Sequence, residues 1–296
     1  PTLLACAATL VAVALHAPAA SADDGGARAP GGRHAKKRQA STPAKGPSGG
    51  VRPVRATLLT SFDLRRKHLF LYGRAGRLVF TLSGRRATSV RIHVLRASDR
   101  SLVSSLDLGE RAAGRYSIPF TGTEAGVLPE GRYLLHIAGR RLRRGPAASS
   151  TAELDFRHHV FPLAGSFDWG NEGSRFGARR KGHLHQGHDL AAAEGTPVVA
   201  PRGGLVKAVG YQPGGAGHYV VVDGATESHD YVFMHLRSGS IPLTTGDPVR
   251  TGQLVGEVGN TGRSFGAHLH FEIWVGGWFS GGAPVDPLPF LQAWAA

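Results

Sequence analysis

Hydrophobic and polar residues alternate in short runs through the middle of the chain, between residues 54 and 157. Val90, Ile92 and Val94, for example, alternate with polar neighbours. Successive strand side chains point to opposite faces, so each run predicts a strand with one buried face. Short strands separated by turn sequences such as "SGRR" and "LPEGR" are typical of a β-sandwich. The predicted strands are 68–72, 77–82, 89–95, 101–108, 115–120, 131–139 and 151–156.

The pattern continues after a boundary at "RHHVFPLAG" (157–165). Runs such as "GLVKAVGY", "HYVVVDG" and "HLHFEIW" predict further strands joined by glycine-rich turns, and only "PFLQAW" near the end suggests a helix. We therefore predict a mainly β protein with two folded domains, 54–157 and 158–296. Adjacent strand residues face opposite ways, so the pair His158 and His159 is not expected to bind one metal ion.

The first 53 residues have a different composition. Residues 1–22 contain an apolar run, Pro18 and a small-residue Ala-Ser-Ala motif, which predict a signal peptide whose basic start is missing. A signal-anchor is the alternative. Residues 23–53 are rich in Gly, Pro, Ala and basic residues and predict a disordered linker. Cleavage would remove Cys6, the only cysteine, so we expect an exported bacterial protein of the cell wall or periplasm without disulfides or stable membrane insertion.

The net charge of +14 favours polyanionic partners, among them anionic cell-wall polymers. No helix-turn-helix, zinc-finger or aromatic-rich RNA-binding pattern is present, so nucleic acid is not the expected partner. A polyanion-binding adhesin with an incidental metal site is a further interpretation, which rests on charge alone.

Candidate metal ligands lie in "HLHQGHD" (183–189) and "HLH" (268–270). Four residues of ideal strand would separate His185 and Asp189 by about 13 Å, so the chain must bend if both bind one ion, and Gly187 permits such a bend. His268 and His270 point to one face of a strand, so one of them can complete a three-ligand site. The other could then reach a bound water. Three protein ligands and an open position are typical of a catalytic zinc.

A further histidine ends the run "YVFMHL" (231–236). Alternation predicts that Tyr231, Phe233 and His235 share one face. We interpret His235 as a candidate proton carrier or oxyanion stabiliser.

The C-terminal half resembles the lysostaphin-type, LytM-like zinc endopeptidases of the bacterial cell wall. The similar segments are "HQGHD", "GTPVVAPRGGLV", "YVFMHL", "GDPVRTGQLVGEVGNTGRSFGAHLHFEIW" and "PVDPLPFL". The resemblance implies a compact antiparallel β domain that binds one Zn²⁺ per chain through His185, Asp189 and His270. It also implies that His235 and His268 are catalytic, and it leaves open which of them takes the proton of the attacking water. The ligand types alone would also tolerate Co²⁺ or Ni²⁺.

The same resemblance implies hydrolysis of peptide bonds in the cross-links or stem peptides of peptidoglycan. The alternative is a non-catalytic wall-binding or amidase-activating protein on the same fold. Phe233 replaces a common Tyr, and Arg179 stands where some members have a Tyr. His183 and His188 are interpreted as groove-edge or surface residues, and 167–183 as a candidate lid. The stretch "GRYSIPFTGTEAGVLPEGRYLLHI" (114–137) resembles bacterial Ig-like domains, and we therefore expect an Ig-like sandwich.

Overall fold

The structure, a computed structural model, describes residues 56–296. The predicted signal peptide (1–22) and linker (23–53) lie outside these residues. Within residues 56–296, no helix has both the length and the apolarity that crossing a membrane requires.

Nine strands form two sheets in the N-terminal β region, residues 56–157. They are β1 (Thr57–Arg65), β2 (His68–Phe70), β3 (Gly76–Ser83), β4 (Thr88–Arg96), β5 (Leu102–Arg111), β6 (Gly114–Phe120), β7 (Gly131–Ala138), β8 (Leu142–Arg144) and β9 (Thr151–Arg157). One sheet has the order β6-β3-β1-β8, and the other has the order β2-β9-β7-β4-β5. Neighbouring strands are antiparallel except for β1–β8 and β2–β9, which are parallel.

Both sheets contribute to one hydrophobic core, so they pack face to face as a sandwich. Phe80 on β3 is fully buried, as are Ile92 on β4 and Leu135 on β7. The alternation read from the sequence therefore predicts the buried face correctly, and each such side chain contributes roughly 1.5–3 kcal/mol through burial. The resemblance to Ig-like domains and the two domain boundaries remain predictions.

Strand β1 was not predicted, although it lies between two neighbours in its sheet. Its pairing with β3 shifts register between Leu59 and Ser61. Because of this bulge, Thr60 and Ser61 are both exposed between buried Leu59 and Phe62, and the alternation of the sequence is interrupted.

The C-terminal β region, residues 158–296, is built around a seven-stranded antiparallel sheet. Its strands are β10 (Arg179–Arg180), β11 (His183–Leu184), β12 (His188–Ala191), β13 (Pro197–Val199), β14 (Gly204–Gln212), β15 (Gly217–Gly224), β16 (His229–Leu236), β17 (Pro248–Val249), β18 (Leu254–Glu257), β19 (His268–Val275) and β20 (Ala283–Val285). The main sheet has the order β12-β19-β16-β15-β14-β17, and β20 pairs with β19. The pairs β10–β11 and β13–β18 lie outside it, and helix α1 (Leu288–Ala295) ends the chain.

The two faces of β19 have different roles. Leu269, Phe271 and Ile273 are fully buried in the main core of this region. The intervening residues, His268, His270 and Glu272, therefore point to the other face of the sheet. The alternation of "HLHFEIW" thus fixes which face of the sheet carries the candidate chemistry.

The two β regions are joined by specific polar contacts. Thr251 donates a hydrogen bond to the carbonyl oxygen of Leu71. Arg202 is buried, and its guanidinium carbon lies 5.1 Å from the ring centre of Tyr72.

Candidate metal centre

Three polar side chains converge on the non-core face of the main sheet. His185 Nε2 lies 3.0 Å from Asp189 Oδ1 and 2.9 Å from His270 Nδ1. His270 Nδ1 lies 2.8 Å from the same carboxylate oxygen. These three residues form a group that could hold a metal ion.

Strand pairing places two of the three residues. Asp189 on β12 lies directly opposite His270 on β19, so the two side chains project from adjacent positions. His185 is brought to them by the short segment that passes over β19. A Cβ on Gly187 would lie 2.4 Å from Phe271 O and 2.8 Å from His270 Nε2. Position 187 therefore requires glycine, because a side chain would prevent this segment from lying so close to the backbone of β19. The sequence predicted only that Gly187 permits a bend.

Hydrogen bonds fix which nitrogen of each ligand histidine carries a proton. His185 Nδ1 lies 2.8 Å from the carbonyl oxygen of Arg175, and a carbonyl can only accept, so Nδ1 donates. His270 Nε2 likewise donates to Glu272 Oε1 at 2.9 Å. With a metal ion bound, each ring would be neutral, and its other nitrogen, which faces Asp189, would offer a lone pair to the ion. Together with a carboxylate oxygen of Asp189, the chain would then direct three electron pairs at one cation.

The electrostatics of the cluster favour positive charge. Burial alone would raise the pKa of Asp189, but hydrogen bonds from His185 and His270 outweigh it and hold that pKa well below its usual range. Burial opposes protonation of His270, yet hydrogen bonds to Asp189 and Glu272 outweigh it and raise its pKa to about 9. Both pKa shifts indicate that the cluster stabilises an added positive charge.

The donor set fits zinc. Imidazole nitrogen and carboxylate oxygen are ordinary zinc ligands, and a tetrahedron with bonds of about 2.0–2.2 Å has edges of roughly 3.3–3.6 Å. The observed donor separations of 2.8–3.0 Å are shorter than those edges, so the three side chains would move slightly apart around an ion. His185, Asp189 and His270 would hold the ion.

His268 lies beside this cluster. Its Nδ1 is 2.8 Å from the carbonyl oxygen of Gly266, to which it donates. Its Nε2 is left with the lone pair and lies 3.6 Å from Asp189 Oδ1. A free ring nitrogen therefore borders the candidate metal centre.

His235 approaches from β16, but not on the face that alternation predicted. Tyr231 and Phe233 are buried in the main core. His235 has a left-handed backbone (φ 61°), and its ring centre lies 4.8 Å from that of His268 and 5.9 Å from that of His270. The prediction of one shared face was wrong because this local backbone turn redirects the side chain. Phe233 belongs to the core, so the hydroxyl of a tyrosine at this position would not face the cluster.

The ring of His235 is oriented by the chain. Nδ1 lies 2.8 Å from the carbonyl oxygen of Thr261 and donates to it, which leaves Nε2 as an acceptor. Burial and the charge of His270 lower the pKa of His235 to about 4. At neutral pH the ring is therefore uncharged and able to accept a proton.

Two charged residues that sequence reasoning missed hold the candidate ligands. Glu272 is buried, accepts from His270, and accepts a second hydrogen bond from Trp274 Nε1 at 2.6 Å. Arg180 donates to Asp189 Oδ2 at 3.0 Å, on the oxygen that does not face the histidines. The position of Glu272, two residues after His270 in a strand, was a usable signal. No sequence signal pointed to Arg180, and Arg179, considered earlier, is exposed.

The remaining candidates lie outside the cluster. His183 is exposed, whereas His188 is fully buried and its Nε2 lies 2.9 Å from the carbonyl oxygen of Trp169. The interpretation of His188 as a surface or groove-edge residue was therefore wrong. Alternation along β12 turns it away from Asp189. His158 and His159 bond to different partners, Leu128 and Glu227, and do not share a site.

The predicted lid segment, 167–183, packs beside the ligand segment. It supplies the Arg175 carbonyl and the Arg180 guanidinium described above, and the backbone of Ala178 accepts from the amide of His185. Its role as a lid remains a prediction. A cavity of about 520 Å³ lies elsewhere, near Tyr72, Leu205 and Asp223, and contains none of the five predicted site residues.

The fold and cluster define a β domain with a candidate His-Asp-His metal centre. Residues 183–287 match the sequence model of Peptidase family M23. The C-terminal half of the chain is therefore a lysostaphin-type domain of that family.

Three relatives share this part of the chain. An uncharacterized metalloprotease of Haemophilus influenzae is 42% identical over 93 residues, which are 31% of this chain and 19% of that protein. Lysostaphin of Staphylococcus staphylolyticus is 35% identical over 38% of this chain and 23% of its own length. The DD-carboxypeptidase/endopeptidase Mpg of Neisseria meningitidis serogroup B is 39% identical over 36% of this chain and 22% of its own length. The chain matches less than a quarter of the length of each.

Proposed function

We propose that this protein is an exported, zinc-dependent endopeptidase that hydrolyses peptide bonds in the cross-links or stem peptides of bacterial peptidoglycan. The observation that carries the proposal is the convergence of histidine ring nitrogens. Those of His185 and His270 meet Asp189 at the candidate metal centre, and those of His235 and His268 border it. The match of residues 183–287 to Peptidase family M23 supports the reaction class.

Zinc held by His185, Asp189 and His270 would lower the pKa of water toward ~7 and polarise a peptide carbonyl. The remaining steps belong to the chain's own residues. His235 Nε2 or His268 Nε2 accepts a proton, and the protonated ring then donates to the leaving amine. The carbonyls of Thr261 and Gly266 hold these two rings in orientation.

Each of the two histidines has a property that suits one part of the reaction. His235 Nε2 carries a lone pair because Nδ1 donates to the carbonyl oxygen of Thr261, so this nitrogen can take a proton. His268 is closer to Asp189 and is therefore placed nearer to the polarised carbonyl. We propose that His235 accepts the proton of the attacking water and returns it to the leaving amine, and that His268 is the ring that lies beside the polarised carbonyl.

The substrate proposal draws on the names of the relatives and on the proposed site in the cell wall or periplasm. Mpg is named a DD-carboxypeptidase/endopeptidase. The experiment that tests the proposal measures new amino groups released from purified peptidoglycan, with glycine cross-bridges or with direct cross-links, before and after chelation and after zinc is restored. Mass spectrometry of the fragments identifies the bond.

His235→Ala and His268→Ala separate catalysis from metal binding. Both variants should retain zinc and lose amine release, since neither residue belongs to the three-residue metal group. Zinc binding by the wild type without amine release from any peptidoglycan would reject the enzyme proposal. It would favour the alternative, a non-catalytic wall-binding or amidase-activating protein.

A further inference from the structure

One end of the N-terminal sandwich carries an unusual concentration of arginine. Three chain segments meet there: the β3–β4 loop (residues 83–88), the β5–β6 turn (residues 111–115), and the segment from the end of β7 through β8 (residues 139–145). Together they contain seven exposed arginines, which we call the arginine end: Arg85, Arg86, Arg115, Arg140, Arg141, Arg143 and Arg144.

Backbone contacts bring these segments together. Thr57 Oγ1 donates to the carbonyl oxygen of Arg86 at 2.9 Å, and Thr57 pairs with Leu142 at the start of β8. Thr88 Oγ1 donates to the carbonyl oxygen of Arg140. Leu82 pairs with Gly114, the residue before Arg115. The arginines are therefore neighbours because of the fold, although they are up to 59 positions apart in sequence.

The charge of the arginine end is not neutralised by any ion pair among the residues that the structure describes. The three segments contain no Asp or Glu. Among residues 56–296, none of the seven guanidinium groups takes part in an ion pair or a side-chain hydrogen bond. The nearest acid in the strand pairing is Glu110, opposite Ser89, and half-buried Arg111 follows it. Clustered like charges repel and lower stability, so an unpaired cluster of this size calls for an anionic partner.

We propose that the arginine end binds a linear phosphodiester polymer of the bacterial envelope and so holds the peptidase beside its substrate. Guanidinium groups match phosphate oxygens in a two-pronged geometry, and seven of them along one end suit a chain with repeated charges. Binding itself does not depend on peptidase activity. Only the location of the polymer in the envelope rests on the proposed function.

The composition of the surface favours a polymer over a lipid bilayer. Proteins that lie on membranes insert apolar side chains beside their basic residues. In the three segments the only large apolar side chain is Leu142, which packs against the core of the sandwich. The arginine end therefore offers charge without an apolar anchor.

The arginine end lies at the opposite end of β1 from the contact with the C-terminal β region. Strand β1 begins there, and nine residues later it reaches the turn that leads to Leu71, which contacts Thr251 of the C-terminal β region. Nine strand residues span roughly 25–30 Å. A polymer bound at the arginine end would thus not occupy the hydrolytic site.

The test uses the whole chain and inorganic polyphosphate as the probe. Binding is measured by fluorescence anisotropy at about 50 mM and about 200 mM salt, for the wild type and for a variant with all seven arginines changed to glutamine. A matched control changes seven other exposed arginines to glutamine: Arg65, Arg66, Arg74, Arg96, Arg100, Arg132 and Arg250. Circular dichroism and the melting temperature verify that both variants fold.

We expect the arginine-end variant to bind at least ~10-fold more weakly and to lose most of the salt dependence, while the control stays close to wild type. Equal weakening of both variants, or no binding by the wild type, would overturn the proposal. Purified walls provide the second arm: wild-type retention should fall when phosphate polymers are extracted. Equal retention on extracted walls, or stronger binding to anionic vesicles or duplex DNA than to polyphosphate, would also overturn it.

His270→Ala separates this inference from the proposed function. The variant should bind polyphosphate like the wild type even though its metal centre is broken. A loss of polyphosphate binding in His270→Ala would show that the anion binds at the metal centre and would contradict the inference. A failure of peptidoglycan hydrolysis alone would leave the polymer result unaffected.

Discussion

Each of the two β regions contains a pair of neighbouring histidines on adjacent chain segments, and only one pair belongs to a candidate metal centre. In the N-terminal region, His93 and His136 lie opposite each other on β4 and β7, with ring centres 6.5 Å apart. In the C-terminal region, the ring centres of His185 and His270 are 4.8 Å apart. The second pair is closer, and the surroundings of the rings differ as well.

The surroundings give the two pairs opposite electrostatics. Burial, followed by the charge of His93, lowers the pKa of His136. Asp189 and Glu272 instead raise the pKa of His270 against the effect of burial. Asp107, the acid on the strand beside His93, is already paired with Arg91 at 2.7 Å. A pair of histidines becomes a candidate metal site when a carboxylate is shared between them and each ring is anchored by its other nitrogen.

The largest expected effect comes from removing the shared carboxylate. Asp189→Ala should reduce bound zinc from about one ion per chain to almost none, because two neutral imidazoles are left without a third ligand. His136→Ala is the matched control and should retain full zinc. Metal analysis after gel filtration measures both. Normal zinc content in Asp189→Ala would remove the distinction between the two pairs.

Adding a methyl group at position 187 should reduce zinc binding nearly as much. A Cβ there would lie 2.4 Å from Phe271 O, so Gly187→Ala must displace the segment that carries His185. We expect loss of most zinc binding, with a melting temperature that falls as well. Gly214→Ala is the control, since nothing lies within 4 Å of a Cβ at that position. Equal zinc affinity in the two variants would contradict the close-approach argument.

Replacing Glu272 should have an intermediate effect on zinc affinity. Glu272→Gln removes the charge behind His270 but keeps the size of the side chain, and loss of such a partner weakens metal binding about 10–100-fold. Competition with a zinc-binding dye measures the affinity. Glu257→Gln, on β18, is the comparison and should leave zinc affinity unchanged. If both variants bind zinc like the wild type, Glu272 contributes only to packing.

The smallest expected effect is on the melting temperature and comes from Glu227, a carboxylate that is paired outside the metal centre. Burial opposes ionisation of Glu227, but hydrogen bonds from His159 and Tyr231 outweigh it and lower its pKa below the ordinary 4.5. A lowered pKa stabilises the fold above the ordinary value, and this contribution is lost as the pH falls through the folded-state pKa. The melting temperature of Glu227→Gln should therefore lie below that of the wild type at pH about 7, and the gap should narrow toward pH about 3. A constant gap would exclude an ionic contribution.

Sequence patterns predicted much of the architecture because burial has a period of two in strands. The runs at β3, β4, β7 and β19 are observed as predicted. The pattern failed where the backbone departs from a regular strand. The bulge in β1 interrupted its alternation, and the left-handed backbone of His235 turned that ring to the opposite face.

The parts of the candidate site that could not be predicted depend on contacts without a sequence signature. The carbonyls of Arg175, Thr261 and Gly266 orient three rings, and every residue has a carbonyl. Arg180 reaches Asp189 through a long side chain, and only the folded chain places these two residues close together. Glu272, in contrast, was visible two positions after His270 in the strand pattern.

The central claim is that His185, Asp189 and His270 hold a zinc ion used to hydrolyse peptidoglycan. Its most direct test measures, in one preparation of the whole chain and in His270→Ala, both zinc content and the amino groups released from purified peptidoglycan. The account predicts about one zinc per chain and amine release in the wild type, and neither in the variant. Amine release by a variant that binds no zinc would contradict it.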